Sequence, residues 1–168
     1  MFLFCCQPSW YNSHQPAEFW GSQAQWIGQN FPDKPFFVSE TGAGGVYEWM
    51  NSTVPPPKWS QEFQRNLIWE DASFIVRDDR FSGLTLWQFN DIKANTGDTK
   101  SCGQCDYKPN VEPPTCAYID VTCKRPGGEN HKGQVDFWRR KKQSFTDVAK
   151  LYNSTSSSPS PPSAPVAS

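Results

Sequence analysis

The sequence predicts an α/β fold in which short buried strands alternate with helices and therefore run parallel. Three observations predict it: apolar runs of about five residues recur along the chain, amphipathic stretches separate them, and Gly- or Pro-rich turns end them. Strands that alternate with helices form parallel βα units. Three such units do not close a sheet alone, and they match the last part, about strands six to eight, of a (β/α)8 barrel.

The strands are predicted first, from short apolar runs bounded by turn residues, at Phe2–Cys6, Phe36–Ser39 and Gly83–Phe89. Apolar residues spaced by three and four predict helices at Pro16–Asn30, from an N-cap at Ser60 to about Arg77, and at Ser144–Tyr152. A Cys-rich insert occupies residues 98–128, and the Ser/Pro-rich residues 153–168 are predicted to be a disordered tail.

Charge and composition exclude several classes of partner. The formal net charge of −1 gives no general attraction to nucleic acid or to an anionic membrane. No run approaches the ~20 apolar residues that a membrane span needs. Aromatic residues make up 15% of the chain and include eight Trp. They are either core residues or faces on which sugar rings stack.

Polar and aromatic side chains follow the predicted strands at the ends where barrel enzymes place their chemistry. These residues are Gln7, Tyr11, Glu40, Trp87, Asn90 and Asp91. We expect them to lie at one edge of the sheet, because the C-terminal ends of parallel strands meet there.

Three segments resemble glycoside hydrolase family 2. Phe36–Ala43 is similar to that family's seventh strand, where a hydrophobic run ends in Ser/Thr-Glu. Leu86–Asp91 resembles its eighth strand, which carries Trp-x-Phe-x-Asp. Asn130–Asp136, a basic stretch and a closing helix resemble its C-terminal end. The three segments occur in the family's order, and Thr41 stands where an aromatic residue is usual.

The resemblance implies a retaining exo-β-glycosidase with Glu40 as nucleophile. Retaining enzymes use two carboxyl groups about 5–5.5 Å apart. The family's acid/base belongs to an Asn-Glu pair after strand four, and no such dipeptide occurs here. We therefore expect the acid/base to lie upstream of Met1, which is then an internal methionine or a misassigned start. Residues 1–152 would be the C-terminal portion of the catalytic barrel, inactive alone.

The resemblance also implies substrate-binding residues, and it implies no cofactor or metal. Trp87 would form the floor of the sugar subsite. Gln7 stands at the position of a tyrosine that hydrogen-bonds the nucleophile in the family, and Tyr11 would line the pocket. Asn130 and Lys132 match a pair that contacts the uronate carboxylate in β-glucuronidases, which favours glucuronidase over galactosidase. The alternative is a non-catalytic or degenerate carbohydrate-binding module that keeps the Trp-rich cleft.

The cysteines of the insert suggest an oxidising compartment. Disulfides are favoured over a zinc site, because the second pair is separated by six residues rather than two to four. The four cysteines are Cys102, Cys105, Cys116 and Cys123, while Cys5 and Cys6 are predicted to be buried thiols. Sequons begin at Asn51 and Asn153. Together these features predict a secreted or a lysosomal/vacuolar protein.

Overall fold

The computed structural model describes residues 16–93, 103–105 and 116–155. The predicted strand Phe2–Cys6 and the candidates Gln7 and Tyr11 lie outside the described residues, as do parts of the insert and of the tail. The elements follow in the order α1 (Pro16–Asn30), β1 (Phe36–Thr41), α2 (Gln61–Ile75), β2 (Phe81–Leu86), β3 (Ile92–Lys93), β4 (Gly103–Cys105), β5 (Cys116–Ile119), β6 (Glu129–Asn130) and α3 (Gln143–Thr155).

Strands β1 and β2 form a parallel pair, as predicted, and Phe36 lies opposite Phe81 in its register. β2 begins two residues earlier and ends three residues earlier than predicted. It ends early because the backbone after Trp87 leaves the sheet: Gln88 and Asp91 bond instead to the chain at residues 132–135. The described residues thus form a mixed α/β unit around one parallel βα crossover.

One face of the β1–β2 pair packs against the helices. The main core cluster joins apolar side chains of all three helices and both strands, namely Trp20, Ala24, Ile27, Phe36, Val38, Ala72, Ile75, Phe81, Leu84 and Leu151. Inside it, the buried Asp71 accepts hydrogen bonds from Trp20 Nε1 and from Thr41 Oγ1, each at 2.8 Å. This carboxylate joins α1, α2 and the end of β1.

The helices agree closely with their predicted bounds. α1 has the predicted range, and α2 begins after Ser60, whose hydroxyl accepts from the Phe63 N–H at 3.1 Å. α3 continues to Thr155, so the first three residues assigned to the tail are helical. Within the described ranges, no helix is long and apolar enough to cross a membrane.

The second half of the unit consists of short antiparallel pairs. β3 pairs with β6, and β4 pairs with β5 inside the Cys-rich insert. The insert docks on the segment after β1 through a second apolar cluster of Val46, Trp49, Trp59 and Ile119. The indole Nε1 of Trp59 also donates to the Cys123 carbonyl at 2.9 Å. The insert therefore covers the segment that leads from β1 to α2.

Candidate functional site

Glu40 and Trp87 lie at the same end of two neighbouring strands. Glu40 is the penultimate residue of β1, and Trp87 immediately follows β2. The Trp87 N–H donates to the Thr41 carbonyl at 2.8 Å. At Gly42 a Cβ would lie 2.3 Å from the Trp87 carbonyl oxygen, and the φ of +156° also favours glycine there. The two strand ends are therefore in direct backbone contact.

A β-bulge lies in β1 at the position of Glu40. Between Val38 and Thr41, β1 has one residue more than the matching stretch of β2. Thr41 faces α2, because its hydroxyl bonds Asp71. The regular alternation of strand side chains is broken at this bulge, so the direction of the Glu40 side chain stays a prediction. Bulges often redirect a side chain beside an active site, and the half-buried Glu40 fits that pattern.

Trp87 is not a core side chain in the described part of the chain. It is 43% exposed, and Phe89 beyond it is 64% exposed. An exposed indole at a strand end offers a flat apolar face, as stacking on a sugar requires.

The segment that contains Asn130 and Lys132 lies between the loops that follow β1 and β2. On one side the Gly45 N–H donates to the His131 carbonyl at 2.9 Å. On the other side the Gln88 N–H donates to the Lys132 carbonyl at 3.1 Å. The fold thus brings both predicted uronate-binding residues to the strand ends that carry Glu40 and Trp87.

Asn130 is oriented by its own loop. Its Oδ1 accepts from the Lys132 N–H at 3.1 Å. The other end of the amide is the Nδ2 group, which carries two N–H donors. A carboxylate only accepts hydrogen bonds. Oδ1 is therefore engaged within the loop, and Nδ2 is the end of the amide that would suit a carboxylate.

The last residue of the Asn130–Gly133 segment has to be a glycine, because backbone atoms pack closely against it. A Cβ there would lie 2.2 Å from the Asp91 backbone nitrogen and 2.3 Å from the Val135 carbonyl oxygen. The Gly133 N–H donates to Asp91 Oδ1 at 2.8 Å. Close approach of the motif to the chain after β2 thus leaves no space for a side chain.

A buried polar cluster beneath this segment was not found from the sequence. Lys142 Nζ donates to Asp91 Oδ1 at 2.8 Å and to the His131 carbonyl at 2.9 Å. Gln64 Nε2 donates to the carbonyls of Ala43 and Gly133. Burial lowers the pKa of Lys142, and the charge of Asp91 opposes that shift. Asp91, which the sequence suggested at the open edge, is instead a buried member of this cluster.

Arg140 joins two loops beside the cluster. Its guanidinium bonds Asp136 at 2.5 Å, forms an ion pair with Glu48 and lies 3.8 Å over the Tyr47 ring. Guanidinium groups suit such combined pairing and stacking. The loop after β1 is thereby fixed to the segment that follows Gly133.

The cysteines of the insert are described only in part. Cys116 and Cys123 each belong to a disulfide bond, while Cys102 lies outside the described residues. In the part of the chain that is described, no group of three His, Cys, Asp or Glu could hold a metal ion. A cavity of about 430 Å³ lies at the opposite, N-terminal ends of β1 and β2, away from Glu40.

Comparison with known proteins agrees with the resemblance that the motifs indicated. A scan against protein-family models found no match, and a search of curated proteins found none. Among solved structures, the chain is similar to a family 2 β-galacturonidase from Eisenbergiella tayi bound to galacturonate (26% identity, TM-score 0.65), covering 90% of this chain and 23% of that one.

Two β-glucuronidase structures share the fold at lower identity. One, from Bifidobacterium dentium and complexed with coumarin-3-O-glucuronide, is 19% identical with a TM-score of 0.56, covering 94% of this chain and 20% of that one. Another, from Faecalibacterium prausnitzii, is 20% identical with a TM-score of 0.53, covering 89% and 20%. The chain therefore spans less than a quarter of the length of these three proteins.

Proposed function

We propose that this chain, which resembles family 2 glycosidases in its motifs and in its fold, forms the C-terminal part of a (β/α)8 barrel that hydrolyses O-glycosidic bonds with retention. It would contribute the nucleophile Glu40, the sugar-stacking Trp87 and the carboxylate-binding pair Asn130 and Lys132. The observation that supports this is the meeting of these four residues at one edge, through the Trp87–Thr41 and Gln88–Lys132 backbone hydrogen bonds.

The proposed chemistry begins at Glu40. Its carboxylate attacks the anomeric carbon as the glycosidic oxygen leaves, which forms a covalent glycosyl-enzyme intermediate. A second carboxylic acid protonates the leaving oxygen and then, as a base, activates the water that hydrolyses the intermediate. That second group would come from the rest of the barrel, so the 168-residue chain alone should not turn over substrate.

The favoured substrate is a β-linked hexuronide. Lys132 supplies a positive charge, and Asn130 presents its Nδ2 donors beside it. A carboxylate at C6 of the sugar has the charge and the acceptor oxygens that suit both groups. The similar proteins support this class, since one was solved with galacturonate and another with a glucuronide. Among the candidate substrates, we favour β-glucuronides over neutral β-galactosides.

The surroundings of the protein are also part of the proposal. The insert would be closed by disulfides, and the sequons at Asn51 and Asn153 would carry glycans in a secreted or a lysosomal/vacuolar protein.

The second candidate function is a degenerate module that binds carbohydrate without cleaving it. The exposed Trp87 favours this alternative as much as it favours the enzyme, because stacking alone needs no nucleophile.

Substitution of Glu40 separates the two functions. In a protein that contains the complete barrel, Glu40→Gln should lower kcat on an aryl β-glucuronide by about 10³-fold or more, because the covalent route is removed. Binding of the substrate should remain nearly intact, since the amide keeps the size of the carboxylate. Glu18→Gln, on the exposed side of α1, serves as the control and should leave turnover unchanged. Turnover by Glu40→Gln equal to that of the control would remove Glu40 from the nucleophile role, whereas binding of the glucuronide with no turnover by the unsubstituted protein would favour the binding module.

A further inference from the structure

The most heavily buried ion pair of the cluster lies directly beneath the proposed uronate site. The side chains of Lys142 and Asp91 are 0% and 1% exposed. Burying two charges is costly unless each finds further hydrogen-bond partners. Here Lys142 has the His131 carbonyl as its second acceptor, and Asp91 has the Gly133 N–H as its second donor.

These second partners are the peptide groups on either side of Lys132. The His131 carbonyl precedes Lys132 and accepts from Lys142, while the Gly133 N–H follows it and donates to Asp91. The Lys132 backbone itself bonds Asn130 Oδ1 through its N–H and Gln88 through its carbonyl. The main chain at Lys132 is therefore fixed on both sides, and one buried ion pair makes two of these contacts.

We infer that Lys142, together with Asp91, is a positioning residue that holds Lys132 and Asn130 in place for the substrate carboxylate. The inference rests on the proposed function and adds a specificity role to a buried lysine that touches no substrate. A loop fixed before binding loses little conformational entropy when the ligand arrives. Loosening the loop should therefore weaken recognition of the carboxylate more than it weakens the chemical step at Glu40.

The test compares two substrates that differ only at C6. In the complete barrel, kcat and KM are measured for an aryl β-glucuronide and for the aryl β-glucoside with the same leaving group. Lys142→Met should raise the glucuronide KM by about tenfold or more and change kcat by less than about threefold, with little effect on the glucoside. Lys150→Met, on the exposed side of α3, is the matched control and should change neither substrate.

A second variant keeps the inference falsifiable if Lys142→Met does not fold. The double variant Asp91→Asn with Lys142→Met removes both buried charges and leaves no unpaired one. It should show the same loss of glucuronide preference. Preference retained in a folded variant, equal losses on both substrates, or failure of both variants to fold would assign the pair to stability alone and overturn the inference.

Amide hydrogen exchange of the 168-residue chain separates this inference from the proposed function. Lys142→Met should speed exchange at Gly133 and Gln88 by about tenfold or more relative to the amides of α1, because their partners lie in the loop that Lys142 holds. Unchanged exchange at both amides would contradict the inference. If the complete wild-type barrel cleaves no uronide, the proposed function fails, and the exchange result still decides whether Lys142 holds the loop.

Discussion

The backbone N–H of Trp87 donates a 2.8 Å hydrogen bond to the carbonyl of Thr41 and so joins the ends of two parallel strands. Glu40 precedes this contact on β1 and lies within the bulge between Val38 and Thr41. The candidate nucleophile and the candidate stacking surface thus share one short stretch of main chain. A separation of about 5–8 Å between the two side chains, as one sugar subsite requires, stays a prediction.

Gly133→Ala should destabilise the protein. The new methyl group would overlap the Asp91 nitrogen and the Val135 carbonyl oxygen, which are backbone atoms and cannot easily move. Overpacking of this kind costs about 1–3 kcal/mol or more. Urea denaturation of the 168-residue chain measures the loss.

Gly28→Ala is the matched control for that substitution. Gly28 lies in α1, and nothing lies within 4 Å of a Cβ placed there. Alanine should therefore raise the free energy of unfolding by about 0.5–1 kcal/mol, because it favours the helix. A loss of stability at Gly28 equal to that at Gly133 would contradict the close approach of Gly133 to the chain after β2.

Lys132→Ala should change substrate preference in the complete barrel. The loss of one partner of a desolvated charge pair should lower kcat/KM for a glucuronide by about 2–4 kcal/mol and barely affect a neutral galactoside. Lys34→Ala, an exposed lysine near the opposite ends of the strands, should affect neither substrate. Equal losses of kcat/KM on both substrates would show that Lys132 does not bind the uronate carboxylate, and would favour a galactosidase over a glucuronidase.

Thiol titration of the native, non-reduced protein should find Cys116 and Cys123 unreactive. Each of the two cysteines belongs to a disulfide bond. Cys123 is also buried beside Trp59. Reduction followed by alkylation should then label them and loosen the insert. Release of stoichiometric zinc by a chelator, with unfolding of the insert, would overturn the disulfide hypothesis.

The elements that the sequence predicted well carry local signals. α1 has apolar residues at helical spacing and ends near Pro32, and α2 has a Ser N-cap, so their starts could be predicted without tertiary information. β2 ended three residues early because its last residues bond to a segment more than forty residues away, which no local pattern records.

The buried cluster shows where sequence reasoning fails at the site. Lys142 ends a run of four basic residues, which resembles a solvated surface stretch. Its burial depends on Asp91, Gln64 and the loop carbonyls, which only the folded chain brings together. By contrast, Glu40, Trp87, Asn130 and Lys132 could be proposed from the sequence, because each belongs to a motif with a chemical reason for its residue types.

Covalent trapping tests directly whether Glu40 is the nucleophile. A 2-deoxy-2-fluoro β-glucuronyl fluoride slows hydrolysis of the glycosyl-enzyme, so the intermediate accumulates and mass spectrometry of a digest locates it. With the complete barrel, we expect one sugar per protein on the peptide that contains Glu40, and no label after Glu40→Gln. A label on another carboxylate, or turnover of glucuronides with no covalent intermediate at Glu40, would contradict it.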